Sequence, residues 1–219
     1  TEFRNFTYIA KIYMKRGTTI SEIDSDTPSS PETLEFVEIS TGVAFPLSLT
    51  GYTLVFFNGN STGTPSLPGR NYRAIALDAN GVTTDGNGLL LVGNPGVTPA
   101  PAITFGDGTL QNGEDAVAIY QRPTSDFAGT PRPTVTDIGT DGLIDALIYE
   151  TGADPDSQVL YVLDQTGELS PVVDEDANAN REGDSILRCM DVDTRRAYTA
   201  YHVAAPSPGT RVAGITTCL

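Results

Sequence analysis

Along this chain, short apolar runs are separated by connections rich in Gly, Pro, Asn and Ser, and within several runs apolar and polar positions change places at every residue. A period of two predicts strands, because successive side chains on an extended backbone point to opposite faces. The clearest case is 20–39, ISEIDSDTPSSPETLEFVEI. Ile20 and Ile23, with Glu22, Asp24 and Asp26 between and after them, predict a strand entering an acidic loop, and Leu34 to Ile39 predict a second strand. The Pro- and Ser-bearing connection makes the pair an irregular hairpin. Residues 1–16 form a separate phrase of the same period, with Phe6, Tyr8, Ala10, Ile12 and Met14 on one face, so an N-terminal strand or arm is expected there.

Further strands are expected at 45–49, 53–57, 72–77, 89–93, 103–105, 116–120, 143–149 and 198–203. The turn pairs Asn80-Gly81 and Asn87-Gly88 predict that 72–77 and 89–93 form another hairpin. Residues 58–71 and 122–133 read as exposed loops. Residues 156–164 (DSQVLYVLD) read as one short helix, with Val159, Leu160 and Leu163 on a face, or as a strand. Strands at this spacing, punctuated by turn signals, predict an all-β sandwich rather than an α/β fold. Asp145 falls early in the 143–149 strand, where a buried carboxylate requires partners.

Composition agrees with this reading. Of 219 residues, 22 are Gly and 15 are Pro, there is no Trp, and no long helix-propagating run is present. The formal net charge of -15, from 28 acidic and 13 basic residues, repels phosphate backbones and anionic membranes, so no nucleic acid partner is expected. The same field favours divalent cations. Arg4, Lys11, Lys15 and Arg16 against the single Glu2 make the first phrase cationic. Such an arm either guards an edge strand or pairs with an acidic neighbour, giving a protein partner or a homo-oligomer. No apolar run is long enough for a membrane-spanning helix, so no membrane insertion is expected. Cys189 and Cys218 suit one disulfide fastening the tail, with two buried free thiols as the alternative. The sequons at Asn5 and Asn60 also point to a secreted, extracellular glycoprotein whose signal has been removed.

Four phrases, in order, resemble the lamin tail domain family. ISEIDSD followed by EFVEI resembles its opening strand pair; LSLTGYTLVFFN is similar to its Leu, Ser/Thr, Gly, aromatic strand; GTLQNGEDAVAIY is similar to its Asn-x-Gly-acid turn and strand; and GLIDALIYET resembles its late strand. The ending, with DSILRC, PSPGT and Cys218, resembles longer secreted members. The resemblance implies an immunoglobulin-like β-sandwich over residues 17–219, serving as a binding or scaffolding module without catalysis. Loops at 59–71, 121–140 and 152–182 are longer than the family pattern, and residues 1–16 have no counterpart in it.

Two carboxylate groups are candidate metal sites. In 174–184, Asp174, Asp176, Asn178 and Asn180 recur at every second position and Asp184 follows, offering the oxygens that calcium requires. The EF-hand pattern fails, since Gly is absent from the sixth position and Glu from the twelfth. The second group is Asp24, Asp26, Glu35 and Glu38 at the opening hairpin; alternatively Glu22 and Glu35 accept backbone or hydroxyl hydrogen bonds that pin it. His202 has no nucleophile beside it, and neither a Gly-x-Ser-x-Gly elbow nor an HExxH helix occurs. The expected function is therefore a non-catalytic, calcium-stabilised module. A metal-dependent extracellular hydrolase is one alternative. A carbohydrate-binding module is another, and requires Tyr72, Tyr120 and Tyr149 to form an exposed row.

Overall fold

The computed structural model describes residues 17–59, 68–152, 158–189 and 194–210. The expected N-terminal strand, the sequons at Asn5 and Asn60, and Cys218 lie outside these residues. Eleven strands are described: β1 (Thr19–Asp24), β2 (Phe36–Ser40), β3 (Thr53–Asn58), β4 (Asn71–Ala76), β5 (Leu89–Gly93), β6 (Ile103–Thr104), β7 (Asp115–Tyr120), β8 (Leu143–Glu150), β9 (Val173–Asp174), β10 (Ser185–Arg188) and β11 (Tyr201–Ala204). They form a six-stranded sheet in the order β11-β10-β1-β2-β5-β6 and a five-stranded sheet in the order β4-β3-β7-β8-β9. All pairings are antiparallel except β5 with β6 and β8 with β9. The fold is all-β. Among the described residues no helix is long and apolar enough to cross a membrane.

The alternation in the sequence builds the space between the sheets. Ile20, Ile23, Val37, Ile39, Leu90 and Val92 from the first sheet meet Leu54, Phe56, Val117, Ile119 and Leu147 from the second in one buried cluster. A second cluster lies on the other face of the five-stranded sheet, where Val55, Phe57, Ala118, Tyr120 and Ile148 pack under Phe127, Val135, Leu160 and Leu163. The covering residues come from a 3-10 turn at Thr124–Phe127, a short helix at Val135–Ile138 and a 3-10 segment at Gln158–Leu163. The Val135–Ile138 helix starts at a capping box, with the Thr134 hydroxyl accepting from the Asp137 N–H and the Asp137 carboxylate accepting from the Thr134 N–H. The uninterrupted apolar run LVFF in β3 thus has a cause: that strand is buried on both faces.

Two sequence expectations change. Residues 46–49 form no strand, and Phe45 stands half exposed. This segment crosses between sheets, tied by the Leu47 N–H to the Thr84 hydroxyl and the Thr84 N–H to the Leu47 carbonyl. Nor do β4 and β5 form a hairpin. β5 pairs with β2 in the opposite sheet, because Leu90 and Val92 bury into the shared core while Leu91 packs with Phe36 and Val97 outside it.

Candidate functional site

In the 174–184 turn, each candidate ligand is engaged within the protein. Asp174 Oδ1 accepts the Asp176 N–H at 2.9 Å, and Asp176 Oδ1 accepts the Arg181 N–H at 3.3 Å. The side-chain amides of Asn178 and Asn180 donate to the two oxygens of Asp184 at 3.1 and 3.0 Å. The structure therefore gathers Asn178, Asn180 and Asp184, with amide nitrogens facing the carboxylate where calcium would need oxygens. Among the described residues, no group of three or more His, Cys, Asp or Glu side chains is arranged to hold a metal ion.

The opening hairpin forms as expected, β1 pairing antiparallel with β2, and its carboxylates divide into two sets. Asp24, Asp26 and Glu35 gather at one end with Glu32 and Glu175, two acids the candidate sites did not include. Glu32 accepts the side-chain amide of Asn112 at 2.9 Å, and its charge adds to the rise in the pKa of Asp24 and Glu35. Glu175, which follows β9, is fully buried and takes the Ser25 N–H at 3.0 Å and the Ser25 hydroxyl at 2.5 Å, tying the end of β1 to the edge of the other sheet. Glu35 accepts the N–H groups of Thr109 and Leu110 at 2.9 and 2.8 Å. Asp26 is paired with Arg181 at 3.1 Å. Asp24 differs from its neighbours: it is only 6 % exposed, and no described residue donates a hydrogen bond or ion pair to its carboxylate. Burial, then the charges of Glu175 and Glu22, push its pKa up to about 9. Burial likewise lifts Glu175 to about 8 and Glu35 to about 7, against the opposing pull of their hydrogen bonds.

Glu38 lies apart from that cluster, opposite Glu22 across the β1–β2 pair. Both are buried under a turn that follows β11. Glu22 accepts the hydroxyl of Ser185 at 2.7 Å and, from Ser207, the N–H at 2.7 Å and the hydroxyl at 3.0 Å. Glu38 accepts the Gly209 N–H at 2.6 Å and the Ser21 hydroxyl at 2.9 Å. Burial raises the pKa of Glu38 to about 7 and raises that of Glu22. The alternative reading of Glu22 and Glu35 as acceptors that pin the hairpin describes these contacts, and Glu38 acts in the same way.

Sequence reasoning marked one half of the centre of the polar framework, Asp145, and missed the other, Arg188. Asp145 in β8, fully buried, accepts the Ile20 N–H at 2.8 Å, the Arg196 N–H at 2.6 Å and the Arg188 guanidinium at 2.6 Å. Arg188 also donates to the Ile20 carbonyl at 2.8 Å and to the Tyr201 hydroxyl at 2.5 Å, with its guanidinium carbon 4.5 Å from the centre of the Tyr201 ring. The knot joins β8 of one sheet to β1, β10 and β11 of the other. Arg188 was visible only inside the DSILRC phrase, with nothing nearby to mark its partner.

The remaining candidates are soon placed. Tyr120 and Tyr149 are fully buried, donating to the carbonyls of Gly139 and Gln111, and Tyr72 stacks on Phe56, so the exposed tyrosine row does not exist. His202 lies on β11 opposite Leu187, and its Nδ1 is buried without a hydrogen-bond partner. Cys189, just after β10, is buried and is not a free thiol, while its expected partner Cys218 lies outside the described residues.

Against known proteins, no family model matches the chain and no curated protein matches it. Among solved structures, it is similar to a DUF4876 family protein from Bacteroides thetaiotaomicron at 12% identity, with a TM-score of 0.38. That match covers 79% of this chain and 62% of the other, and at such depth it carries no argument about function.

Proposed function

We propose that this chain is a non-catalytic structural and interaction module, built on an immunoglobulin-like sandwich of lamin-tail type and working outside the cell. The observation that carries the reading is the use made of its acids. Glu22, Glu35, Glu38, Asp145 and Glu175 each accept two or more internal hydrogen bonds and fasten segments distant in sequence, which leaves them poor candidates for proton transfer to a substrate. The strand order supports the immunoglobulin-like part. β1-β2-β5 against β4-β3-β7-β8 corresponds to strands A-B-E against C′-C-F-G of that fold. A bridge from Cys189 to Cys218 belongs to the same reading, and intact mass after alkylation, with and without prior reduction, tests it.

The module is calcium-stabilised in this proposal; no described carboxylates stand arranged as a finished metal site, and of the two candidates the Asp24 end of the hairpin is preferred to the 174–184 turn because its charges repel one another. Asp24 is a buried carboxylate whose pKa is raised by burial and by the charges of Glu175 and Glu22, and a divalent cation would relieve that repulsion as a proton does. Thermal unfolding with calcium and with chelator tests this. Calcium raises Tm by mass action on the native state; Asp24→Asn abolishes the rise and Asp184→Asn preserves it. A rise lost only in Asp184→Asn moves the site to the turn, and no rise in the unsubstituted chain removes calcium from the proposal. Hydrolysis of phosphoesters or glycosides that disappears on Asp24→Asn or Asp176→Asn substitution would replace the module reading with the hydrolase.

A further inference from the structure

The two sheets end on a common side of the sandwich, β4 terminating one and β6 the other. Between these edge strands opens a cleft of about 500 Å³, lined among others by Tyr72, Arg73, Ile75, Asn80, Ile103 and Arg132. A second cleft of about 380 Å³ shares Tyr72 and Arg132 and adds Arg70, so the two together form a groove along β4. Half-buried Tyr72 and Ile75 supply apolar surface and the arginines supply charge. Among the described residues no carboxylate lines the groove.

Its charge stands out against a chain of net charge -15. Ion pairs among the described residues involve Arg122, Arg181 and Arg188, and none involves Arg70, Arg73 or Arg132. Arg132 reaches only an amide oxygen, that of Asn71 at 3.4 Å. Arg73 lies over the ring of Phe105, 6.0 Å from its centre. Arg70 Nε is buried with no acceptor. In a protein with 28 acidic residues, Arg73 and Arg132 lying on one edge with no ion pair to a described carboxylate, beside an Arg70 whose charge is felt by the exposed Asp137, are complementary to something that brings carboxylates with it.

The backbone of β4 points the same way. Its outer edge makes a backbone rung at the start, where Arg70 bridges antiparallel to Thr134 and the Asn71 N–H donates to the Pro133 carbonyl at 3.1 Å, and the 3-10 turn at Thr124–Phe127 also packs against β4. Beyond that rung, β4 pairs on this side with no described strand. We propose that this lateral edge is a docking groove for an extended acidic peptide, which adds to β4 as a strand beyond the Pro133 rung and sets its carboxylates against Arg73 and Arg132. Main-chain hydrogen bonds supply affinity in such strand addition, and alternate side chains supply specificity. A sulfated or phosphorylated ligand would satisfy the arginines but leave the strand edge unused. The inference rests on the interaction-module reading and names its partner class; its experiment reads the groove and not the acidic hairpin, so a failed calcium response and a failed peptide titration remain distinguishable.

The test titrates the full chain against fluorescein-labelled peptides and follows anisotropy. An alternating Glu-Val peptide binds and weakens with added salt, while a Lys-Val peptide and a backbone N-methylated Glu-Val peptide do not bind. Arg73→Glu combined with Arg132→Glu weakens the Glu-Val peptide by at least about tenfold, about 1.4 kcal/mol. That reversed groove also gains binding of the Lys-Val peptide, a result a misfolded variant cannot give. The proposal is overturned if no Glu-Val binding occurs, in which case the arginines only guard an edge strand against aggregation. It is equally overturned if the N-methylated peptide binds as well as its parent, or if a sulfated oligosaccharide displaces the peptide while itself binding more tightly.

Discussion

At the scale of single residues, the Asp145–Arg188 pair is where most is at stake. Both groups are nearly inaccessible, Asp145 at 0% and Arg188 at 8% exposure, and each charge is tolerated because the other sits 2.6 Å away with further hydrogen bonds around both. Burial by itself lowers the pKa of Arg188, but the Tyr201 hydroxyl and the Asp145 carboxylate overcome it and the net direction is upward, so the guanidinium stays charged. Removing one partner strands the other. Arg188→Ala should cost about 3–5 kcal/mol in a urea unfolding experiment, because an unpaired buried carboxylate remains. Asp145→Asn combined with Arg188→Ala should cost clearly less than the sum of the single changes. Additive losses would mean that the two groups stabilise the fold separately. Half of this knot was legible: Asp145 in an apolar strand announces the need for a partner. Arg188, 43 residues further along the chain, carries no local signal, since the pairing is made by tertiary contact between sheets.

At the scale of elements, alternation located most of the strands but not the fate of their polar faces. Glu22 and Glu38 occupy positions where an amphipathic strand meets solvent, yet each is only 1% exposed, because the turn at Ser207 and Gly209 lies over them. That turn reads in sequence as an ordinary Ser-Pro-Gly tail, and nothing in its period links it to strands over 170 residues away. The 121–140 loop was likewise legible as a long insertion, whereas its role as a roof for the second core depends on Phe127, Val135 and Ile138 turning inward together. Asp24, Asp26 and Glu35 do gather, as the hairpin pattern implied, but Glu32 and Glu175 join them from a loop and from the far sheet. Gly209 offers a test of the covering turn. Its φ is +76°, and an added Cβ would lie 2.6 Å from the Pro99 ring. Gly209→Ala therefore combines backbone strain with a clash and should destabilise the fold by about 1–3 kcal/mol, measured as a shift in the urea midpoint. It should also open the turn to hydrogen exchange at Gly209 and the residues beside it. An unchanged midpoint would show that the turn only rests on the sheet.

At the scale of the whole molecule, acidity and its exceptions govern both assembly and stability. The cationic phrase at 1–16 precedes an acidic remainder of the chain, so its deletion should convert an oligomer to a monomer by light scattering; an unchanged size would discard that role for the arm. Stability follows from the buried carboxyls. In the folded protein Glu35 and Glu38 hold their protons to about pH 7, Glu175 to about 8 and Asp24 to about 9, while in the unfolded chain each ionises near its ordinary value of 3.8 or 4.5. Between those limits the unfolded state binds fewer protons than the folded state, so stability falls as pH rises. The contribution is fully present below about pH 4 and is lost progressively through pH 9, with Asp24 the last to ionise. Asp137, whose pKa is lowered by its bonds to Thr134, acts in the opposite sense but is exposed and screened by solvent. In chelator, Tm should therefore decline from about pH 5 to about pH 9, the reverse of the behaviour of proteins held by ionised surface carboxylates. Asp24→Asn should remove the last part of the decline, above about pH 8, since an amide needs no proton to remain buried. Calcium should flatten the same part by replacing the proton at Asp24. A Tm that climbs from pH 5 to 8 in chelator would mean that these carboxyls are ionised in the folded state and held there by partners other than protons.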